Sequence, residues 1–362
     1  MTIAAPTQST HKNGLPSTNE PKLIIPTSNA FFLVGIKASV NMKNNIRYHT
    51  LDSWLRARHG QKVQKIPLDA GFSCPNRDGN LGQRGCTFCN AIGSGSGRGA
   101  ADLPGQWAYW RNRFAASDRL KHTRLFMGYL QAFTNTYGTT EHLAALLEDL
   151  RALPDLIGVC VGTRPDCLED DKLNLLAEQS RTWPELWLEI GVQSKHDATL
   201  LRTNRGHTAS CSELAIRQAA ARGIKICAHL MADMPGESPA DFLETVRWIA
   251  GLPVAGVKLH NLYICKGTPL EGQWQDNKHQ PMSQADYVAL IAEALRLLPS
   301  CMVIHRLTGD PAPGELAAPA WAGQKGQTIR LLDNLLDAKN WWQGQCADVP
   351  DKNPWQQDYP KK

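Results

Sequence analysis

Three cysteines stand close together in one stretch of the sequence, since Cys74, Cys86 and Cys89 lie within sixteen residues. Thiolates are soft ligands that suit zinc or iron-sulfur clusters, and the spacing of Cys86 and Cys89 lets two sulfurs bind one metal or one cluster face. No fourth Cys or His lies between residues 60 and 121. Local ligands therefore leave one coordination position open, and an open position is where a substrate or cofactor binds.

Other roles for the three cysteines fit the sequence less well. A structural zinc site uses four protein ligands, and the second half of such a set is absent from this neighbourhood. Unreactive cysteines prefer buried apolar positions, whereas Gly, Pro, Asn and Asp surround these three and indicate a loop. A disulfide leaves one of three cysteines unpaired and requires an oxidising compartment.

Composition sets the broad class of the protein. The chain has 362 residues, of which 42% are hydrophobic, and ten cysteines without a secretory signal predict a cytoplasmic protein. The longest early apolar run, Ala30–Ile36, is too short to cross a bilayer, so we expect no membrane contact. Residues 1–100 hold 12 Lys and Arg against 4 Asp and Glu. This basic excess fits either a nucleic-acid partner or a solvated basic face.

Apolar strand-like runs alternate with amphipathic helical segments along most of the chain. The pattern predicts an α/β fold, a partial (β/α)6 TIM-like barrel with a parallel sheet buried on both faces. Residues 1–45 are predicted to form a disordered leader, residues 46–310 the barrel, and residues 311–362 a C-terminal helix and a flexible tail. The predicted strands are Lys65–Phe72, Arg124–Phe133, Leu156–Gly162, Leu186–Val192, Ile224–Met231 and Val257–Ile264, with Met302–Leu307 as a further edge strand.

Polar residues recur where the predicted strands end. In a parallel barrel the loops after the strands meet at one face, so these residues are candidates for a common site. Any one of them alone is better explained as a helix cap or a satisfied core group, but together they predict a lined cavity. The candidates are Gln131, Thr134, Asn135, Arg164, Asp166, Glu189, Gln193, His229, Glu237, His260, Lys266 and Thr268.

Several phrases of the sequence resemble one family of radical S-adenosylmethionine (SAM) enzymes. It is the YhcC/YtqA-type family, which is related to the radical SAM domain of the elongator catalytic subunit. The resemblance covers roughly residues 48–335, and its wide cysteine spacing is specific to the elongator-like groups. The matching phrases are Gly60–Val63, Gly71–Gly79, Gly85–Asn90, Gly162–Cys167, Glu189–Ser194, Asn204–His207, His229–Glu237 and Ile304–Arg306.

The resemblance implies a 4Fe-4S cluster held by Cys74, Cys86 and Cys89, with SAM on the fourth iron. Reductive cleavage of SAM would then yield a 5′-deoxyadenosyl radical that abstracts hydrogen from a substrate. By the same resemblance, Glu189 and Gln193 would bind SAM. Arg205 is a candidate for its carboxylate. Gln131 is a further candidate because it opens the phrase that replaces the usual Gly-Gly-Glu of the family.

The substrate and partners are also expectations from this resemblance. Kinship with the elongator subunit and the basic N-terminal region predict modification of the side chain of a wobble uridine in tRNA. The same chemistry on a protein or small molecule is an alternative, and so is a metal-binding module without activity. A flavodoxin-like or ferredoxin-like protein would supply the electrons. The catalytic residues are unknown from the sequence.

Overall fold

The computed structural model describes residues 47–93 and 102–348. The predicted leader, residues 1–45, lies outside the described residues. The end of the predicted tail, residues 349–362, lies outside them as well.

A seven-stranded parallel sheet forms the centre of the fold and curls into a half-barrel. Its strand order is β1-β2-β3-β4-β5-β6-β8, while β7 and β9 form a separate antiparallel pair. This architecture confirms the predicted partial barrel of the α/β class, and the predicted edge strand becomes the seventh strand. The strands are β1 (Val63–Leu68), β2 (Leu125–Leu130), β3 (Leu156–Thr163), β4 (Glu185–Gln193), β5 (Lys225–Ala232), β6 (Gly256–Asn261), β7 (Ile264–Cys265), β8 (Val303–Arg306) and β9 (Leu316–Ala318).

Helices cover the outer face of the sheet, and local sequence signals fix where many of them begin. Ser238 and Asp241 form a reciprocal capping box that satisfies free amide groups at the start of α7. The helices are α1 (Leu51–His59), α2 (Leu103–Ala115), α3 (Thr140–Arg151), α4 (Asp170–Thr182), α5 (Asp197–Arg202), α6 (Ala209–Ala221), α7 (Pro239–Ala250), α8 (Pro269–Gln275), α9 (Gln284–Leu297) and α10 (Lys325–Lys339). All nine residues of β4 are buried, because helices cover its outer face and interior side chains pack against its inner face.

The side chains on the inner face of the half-barrel change from apolar to polar along the strands. At the amino ends of the strands this face is apolar, because Met127, Cys160 and Trp187 pack there against Leu51 and Leu55 of α1. Further toward the carboxyl ends it carries charged and polar side chains. Since side chains alternate between the two faces of a strand, this polar layer shares its strands with the apolar core beneath the helices.

The predicted strand Val257–Ile264 was wrong in its extent, because the structure divides it into β6 and β7. The side chain of Asn261 accepts hydrogen bonds from Thr308 Oγ1 at 3.0 Å and from the Gly309 amide at 2.7 Å. These contacts hold the chain where it leaves the parallel sheet, and β7 then pairs with β9. The sequence reading also missed α2, α5, α8 and β9.

The first part of the segment predicted as a flexible tail packs against the barrel through Gln343. Gln343 is fully buried. Its side-chain amide donates to the carbonyls of Pro299 at 2.6 Å and Met302 at 2.8 Å, and its oxygen accepts from the His49 amide at 2.8 Å. One glutamine therefore joins the C-terminal segment to the start of the barrel and to the turn before β8.

No helix in the described segments is both long enough and apolar enough to cross a bilayer.

Candidate functional site

The cysteine loop, residues 69–93, follows β1 and folds through a series of tight turns. The amide of Arg77 donates to the Cys74 carbonyl at 2.8 Å, and the amide of Gly85 donates to the Asn76 carbonyl at 2.7 Å. Gly85 has φ of 71°, and a Cβ there would lie 2.9 Å from Arg77 Nε. Glycine is therefore required at this position for both its backbone conformation and its space.

The segment after α5 holds the loop in place. Asn204 Nδ2 donates to the Gly85 carbonyl at 2.7 Å, and the Thr87 amide donates to the Thr203 carbonyl at 3.0 Å. The Thr87 carbonyl in turn accepts from the Leu270 amide of α8 at 3.0 Å. The loop is thus fastened from two sides at the carboxyl end of the sheet.

The sulfur of Cys86 accepts two N–H groups. Asn76 Nδ2 lies 3.7 Å from Cys86 Sγ, and Arg205 Nη1 lies 3.5 Å from the same sulfur. Arg205 also donates through Nη2 to the Gly191 carbonyl of β4 at 2.7 Å. Donors aimed at a sulfur stabilise its thiolate form, which is the form that binds iron. This donor set fits a cluster-ligating cysteine.

The three cysteines share one neighbourhood. The Cys89 amide donates to the Cys86 carbonyl at 3.0 Å, so these two residues form one turn. Burial raises the pKa of the Cys89 thiol, and nearby Cys86 and Cys74 raise it further. Cys86 is buried, while Cys74 and Cys89 are partly exposed. The cysteine loop is therefore partly open to solvent at Cys74 and Cys89.

The three cysteine sulfurs do not form a group in which all lie within 4.8 Å of one another among the described residues. In the described part of the chain, the group of three His, Cys, Asp or Glu side chains whose ligand atoms lie within 4.8 Å of one another is Glu189, Cys227 and His229. Sulfurs around one tetrahedral zinc stand about 4 Å apart, so the cysteine loop lacks that arrangement. A larger iron-sulfur cluster accommodates wider spacing between its thiolates.

Two of the predicted SAM-binding residues lie beside the cysteine loop. A Cβ on Gly191 would meet Arg205 Nη2 at 2.6 Å and Gln193 Nε2 at 3.0 Å, so both side chains converge on this glycine of β4. Gln131 follows β2, and its amide faces the Leu68 carbonyl of β1 at 3.4 Å. The structure thus brings Arg205 and Gln193 together next to Cys86, and it places Gln131 at the end of the neighbouring strand.

Glu189 occupies a different position, within the polar layer of the interior. It is fully buried, and its Oε1 accepts from Lys65 Nζ at 2.7 Å. Its Oε2 contacts Lys258 Nζ and lies 2.9 Å from His229 Nε2. Burial opposes ionisation of Glu189, but Lys258 and Lys65 lower the pKa of its carboxyl well below the usual range. Both oxygens are engaged by protein groups, so the geometry favours a structural role over direct contact with SAM.

Three histidines of the same layer are held in the neutral form. Burial lowers the pKa of His229 to about 4 and that of His305 to about 3, and nearby lysines reinforce both shifts. Burial and Arg306 lower the pKa of His260 well below its ordinary value. Near neutral pH these imidazoles therefore add no positive charge to the layer.

Most of the remaining strand-end candidates have structural partners. The side-chain amide of Asn135 donates to the Gly162 carbonyl at 2.9 Å. The Thr268 side chain caps α8 by accepting from the backbone amide of Glu271. Glu237 accepts a hydrogen bond from Ser194. Arg164, which is 2% exposed, pairs with Asp166 through two hydrogen bonds of 2.9 and 2.8 Å.

The sequence reading missed several residues of the site. Glu315, beyond the predicted barrel boundary, accepts from Asn90 Nδ2 at 2.6 Å and from Tyr263 Oη at 3.0 Å, so the C-terminal segment reaches the cysteine loop. Lys65 and Lys258 were also missed. A charged residue that interrupts an apolar strand at an inward-facing position was the available signal for both.

Comparisons with known proteins agree with this geometry. Residues 79–249 match the family described as the radical SAM superfamily, and residues 254–337 match the radical SAM C-terminal domain. The chain is 39% identical over 301 residues to the uncharacterized protein YtqA of Bacillus subtilis, which covers 82% of this chain and 92% of YtqA. It is 36% identical over 284 residues to the protein YhcC of Escherichia coli, which covers 78% and 90% of the two chains.

The chain has more distant similarity to elongator complex protein 3 and to an archaeal Elp3. The chain is 31% identical over 200 residues to human elongator complex protein 3, and the match covers 51% of this chain but 35% of that protein. The structure resembles that of archaeal Elp3 from Methanocaldococcus infernus with a TM-score of 0.59 at 17% identity, covering 78% of this chain and 64% of that one. At this identity the likeness concerns the fold alone.

The half-barrel and its cysteine loop define a radical SAM protein, and membership of this superfamily implies SAM and a 4Fe-4S cluster as cofactors. Within the superfamily, the chain belongs to the family of YtqA and YhcC.

Glu189→Gln tests the structural role of the buried carboxylate. We expect the free energy of unfolding to fall by about 3 kcal/mol, because the substitution leaves the buried Lys258 and the partly buried Lys65 without a counter-charge. Urea unfolding measures the change. Glu148→Gln is the matched control, because Glu148 forms an exposed ion pair with Arg151 worth about 0.5 kcal/mol at most. Unchanged stability with loss of SAM binding would instead support the predicted contact between Glu189 and SAM.

Proposed function

We propose that Cys74, Cys86 and Cys89 hold a 4Fe-4S cluster at which the protein cleaves SAM reductively. The observation that carries this proposal is the donor pair on Cys86, since Asn76 and Arg205 both aim N–H groups at its sulfur. The loop lies at the carboxyl ends of parallel strands, where α/β barrels hold their active sites. Its sequence offers three thiols and no fourth Cys or His between residues 60 and 121.

Residues around the open coordination position of the cluster are the candidates for binding SAM. A reduced cluster of this kind, with SAM bound, supplies a 5′-deoxyadenosyl radical and methionine. Arg205 and Gln193, which meet at Gly191, are placed to bind polar groups of SAM. Arg205 also contacts Cys86, so its guanidinium can orient a carboxylate next to the cluster ligand. Among the other polar candidates, Thr268 caps α8, and Arg164 and Asp166 pair with each other.

The interior of the half-barrel is the proposed substrate site. Its floor is closed by the apolar side chains that pack against α1, and its walls are the inward faces of the strands. Such walls keep bulk water away from a reactive group formed at the mouth.

For the substrate, we propose a nucleoside of tRNA, with the side chain of a wobble uridine as the target. Kinship with elongator complex protein 3 supports this choice, together with the basic excess of residues 1–100. A small molecule or a protein is the alternative substrate, and a metal-binding module without activity is the alternative to an enzyme. We expect a flavodoxin-like or ferredoxin-like electron donor and a cytoplasmic location, because a reducing compartment preserves the cluster.

Substitution of Cys86 tests the cluster and the reaction together. After anaerobic reconstitution with iron and sulfide, the wild-type protein should convert SAM to 5′-deoxyadenosine when dithionite is added. Cys86→Ala should lose most of its iron and sulfide and form no deoxyadenosine. Iron analysis, electron paramagnetic resonance and mass detection of the nucleoside provide the readouts. Cys301→Ala is the matched control, because Cys301 is exposed and lies outside the cysteine loop.

A wild-type protein that carries the cluster but forms no deoxyadenosine contradicts the proposed reaction. A Cys86→Ala protein that keeps the full iron content contradicts the ligand assignment. In that second case another side chain must supply the third sulfur or its equivalent.

Transfer RNA addition tests the proposed substrate class. We expect bulk tRNA from a strain that lacks this protein to bind and to increase the rate of deoxyadenosine formation. The binding should weaken steeply with salt, because phosphate contacts release counterions. Binding that does not depend on salt, or no stimulation over a DNA oligonucleotide control, would favour the protein or small-molecule alternative.

A further inference from the structure

The polar layer of the half-barrel holds more positive than negative charge. Lys65 and Lys258 both contact Glu189, and their strands belong to the same curled sheet. The neighbouring histidines are neutral because burial lowers their pKa. One carboxylate therefore balances one of the two lysines, and any further cation in this layer adds to the excess.

Arg306 supplies such a further cation because a bulge turns it inward. Val257 of β6 pairs with Ile304 of β8, but the next residue, Lys258, pairs with Arg306. The strand β8 thus has one extra residue at this point, and bulges of this kind redirect side chains. His305 contacts Glu189 in the interior, and Arg306 aligns with the inward-facing Lys258.

The guanidinium of Arg306 has no partner of its own. Throughout residues 47–93 and 102–348 it forms neither an ion pair nor a hydrogen bond, and its side chain is partly exposed. It is close enough to His260, Tyr129 and Lys258 to shift the pKa of each. Arg306 therefore adds a cation next to the ammonium group of Lys258, and a bound anion would offset these like charges.

His260 offers a second unsatisfied group at the same place. Its Nε2 is buried and has no hydrogen-bond partner among the described residues. Its ring lies 5.8 Å from that of His229, whose Nε2 contacts Glu189. A buried polar nitrogen without a partner is unfavourable because it has lost its hydrogen bonds to water. In the Nε2–H tautomer, His260 can donate to an oxygen that Arg306 also binds.

A metal ion is a poor occupant of this layer. Glu189, Cys227 and His229 present ligand atoms within 4.8 Å of one another. Both oxygens of Glu189, however, already accept hydrogen bonds from lysine ammonium groups. Two fixed cations next to the carboxylate repel a third, so the layer selects for anions.

We propose that the interior of the half-barrel binds an oxyanion of the substrate, a carboxylate or a phosphate, between Arg306 and His260. The planar guanidinium matches either group through two parallel hydrogen bonds. Lys258 adds attraction from the same polar layer, with its own ammonium group held by Glu189. This inference rests on the proposed function, because it takes the interior to be the substrate site, and it adds the chemical class of the group that enters.

Titration of small anions tests the proposal without any turnover. The full-length protein with its reconstituted cluster, kept oxidised and at low ionic strength, is titrated calorimetrically with succinate and separately with inorganic phosphate. We expect at least one of them to bind at a single site. Arg306→Gln should weaken this binding about tenfold or more, because a charge-assisted hydrogen-bond pair is lost. Succinate binding would indicate a carboxylate substrate, and phosphate binding a phosphate ester.

Matched variants separate this site from general charge effects. Arg330→Gln is the control, because Arg330 is an exposed arginine of α10 and lies outside the sheet, and this variant should bind as wild type does. Arg306→Lys keeps the charge but loses the two parallel N–H donors, so we expect intermediate affinity. Thermal unfolding of each variant checks its folding, and Arg306→Lys replaces Arg306→Gln if the latter does not fold.

Three results would overturn the proposal. The first is failure of both anions to bind the wild-type protein, and the second is equal binding by wild type and Arg306→Gln. The third is displacement of the bound anion by SAM, which would assign Arg306 to the carboxylate of SAM. The anion titration involves no cleavage of SAM. Its result is therefore independent of the deoxyadenosine assay that tests the proposed function.

Discussion

Glu189 on β4 accepts hydrogen bonds from Lys65 on β1 and Lys258 on β6, so one buried carboxylate joins the middle of the sheet to strands on both sides of it. Burying three charges is unfavourable unless they are closely paired, and these groups satisfy one another within the curl. An interior lined by apolar side chains alone would have no polar layer. The ion-pair network instead keeps a polar layer between the apolar floor and the mouth of the half-barrel.

The cysteine loop is attached to β4, the strand that carries Glu189. Arg205 connects the loop to the sheet, because it donates both to Cys86 Sγ and to the Gly191 carbonyl, two residues beyond Glu189 on the same strand. Asn204 and Thr203 fix the backbone on the other side. Along β4, Glu189 comes first and pairs with the two lysines. Gly191 follows and leaves space for the side chains of Gln193 and Arg205, which face the proposed cofactor site.

Much of this arrangement follows from the sequence. Apolar strands that alternate with amphipathic helices predicted the parallel half-barrel, and local cysteine spacing predicted an open cluster site at its mouth. Glu189 shows the limit of such reasoning, because a matching phrase cannot reveal that Lys65 and Lys258 occupy its oxygens. Those contacts join residues far apart in the chain. Likewise, the inward turn of Arg306 arises from a bulge that apolar periodicity does not encode.

The central claim is that three protein thiolates hold the cluster and leave its fourth iron for SAM. Electron-nuclear double resonance on the reduced, reconstituted protein tests it most directly, with SAM that carries ¹⁷O in its carboxylate and ¹⁵N in its amino group. The account predicts hyperfine coupling from both labels to the cluster. An intact cluster that shows coupling from neither label would contradict it, since the fourth position would then be filled by the protein or closed to SAM.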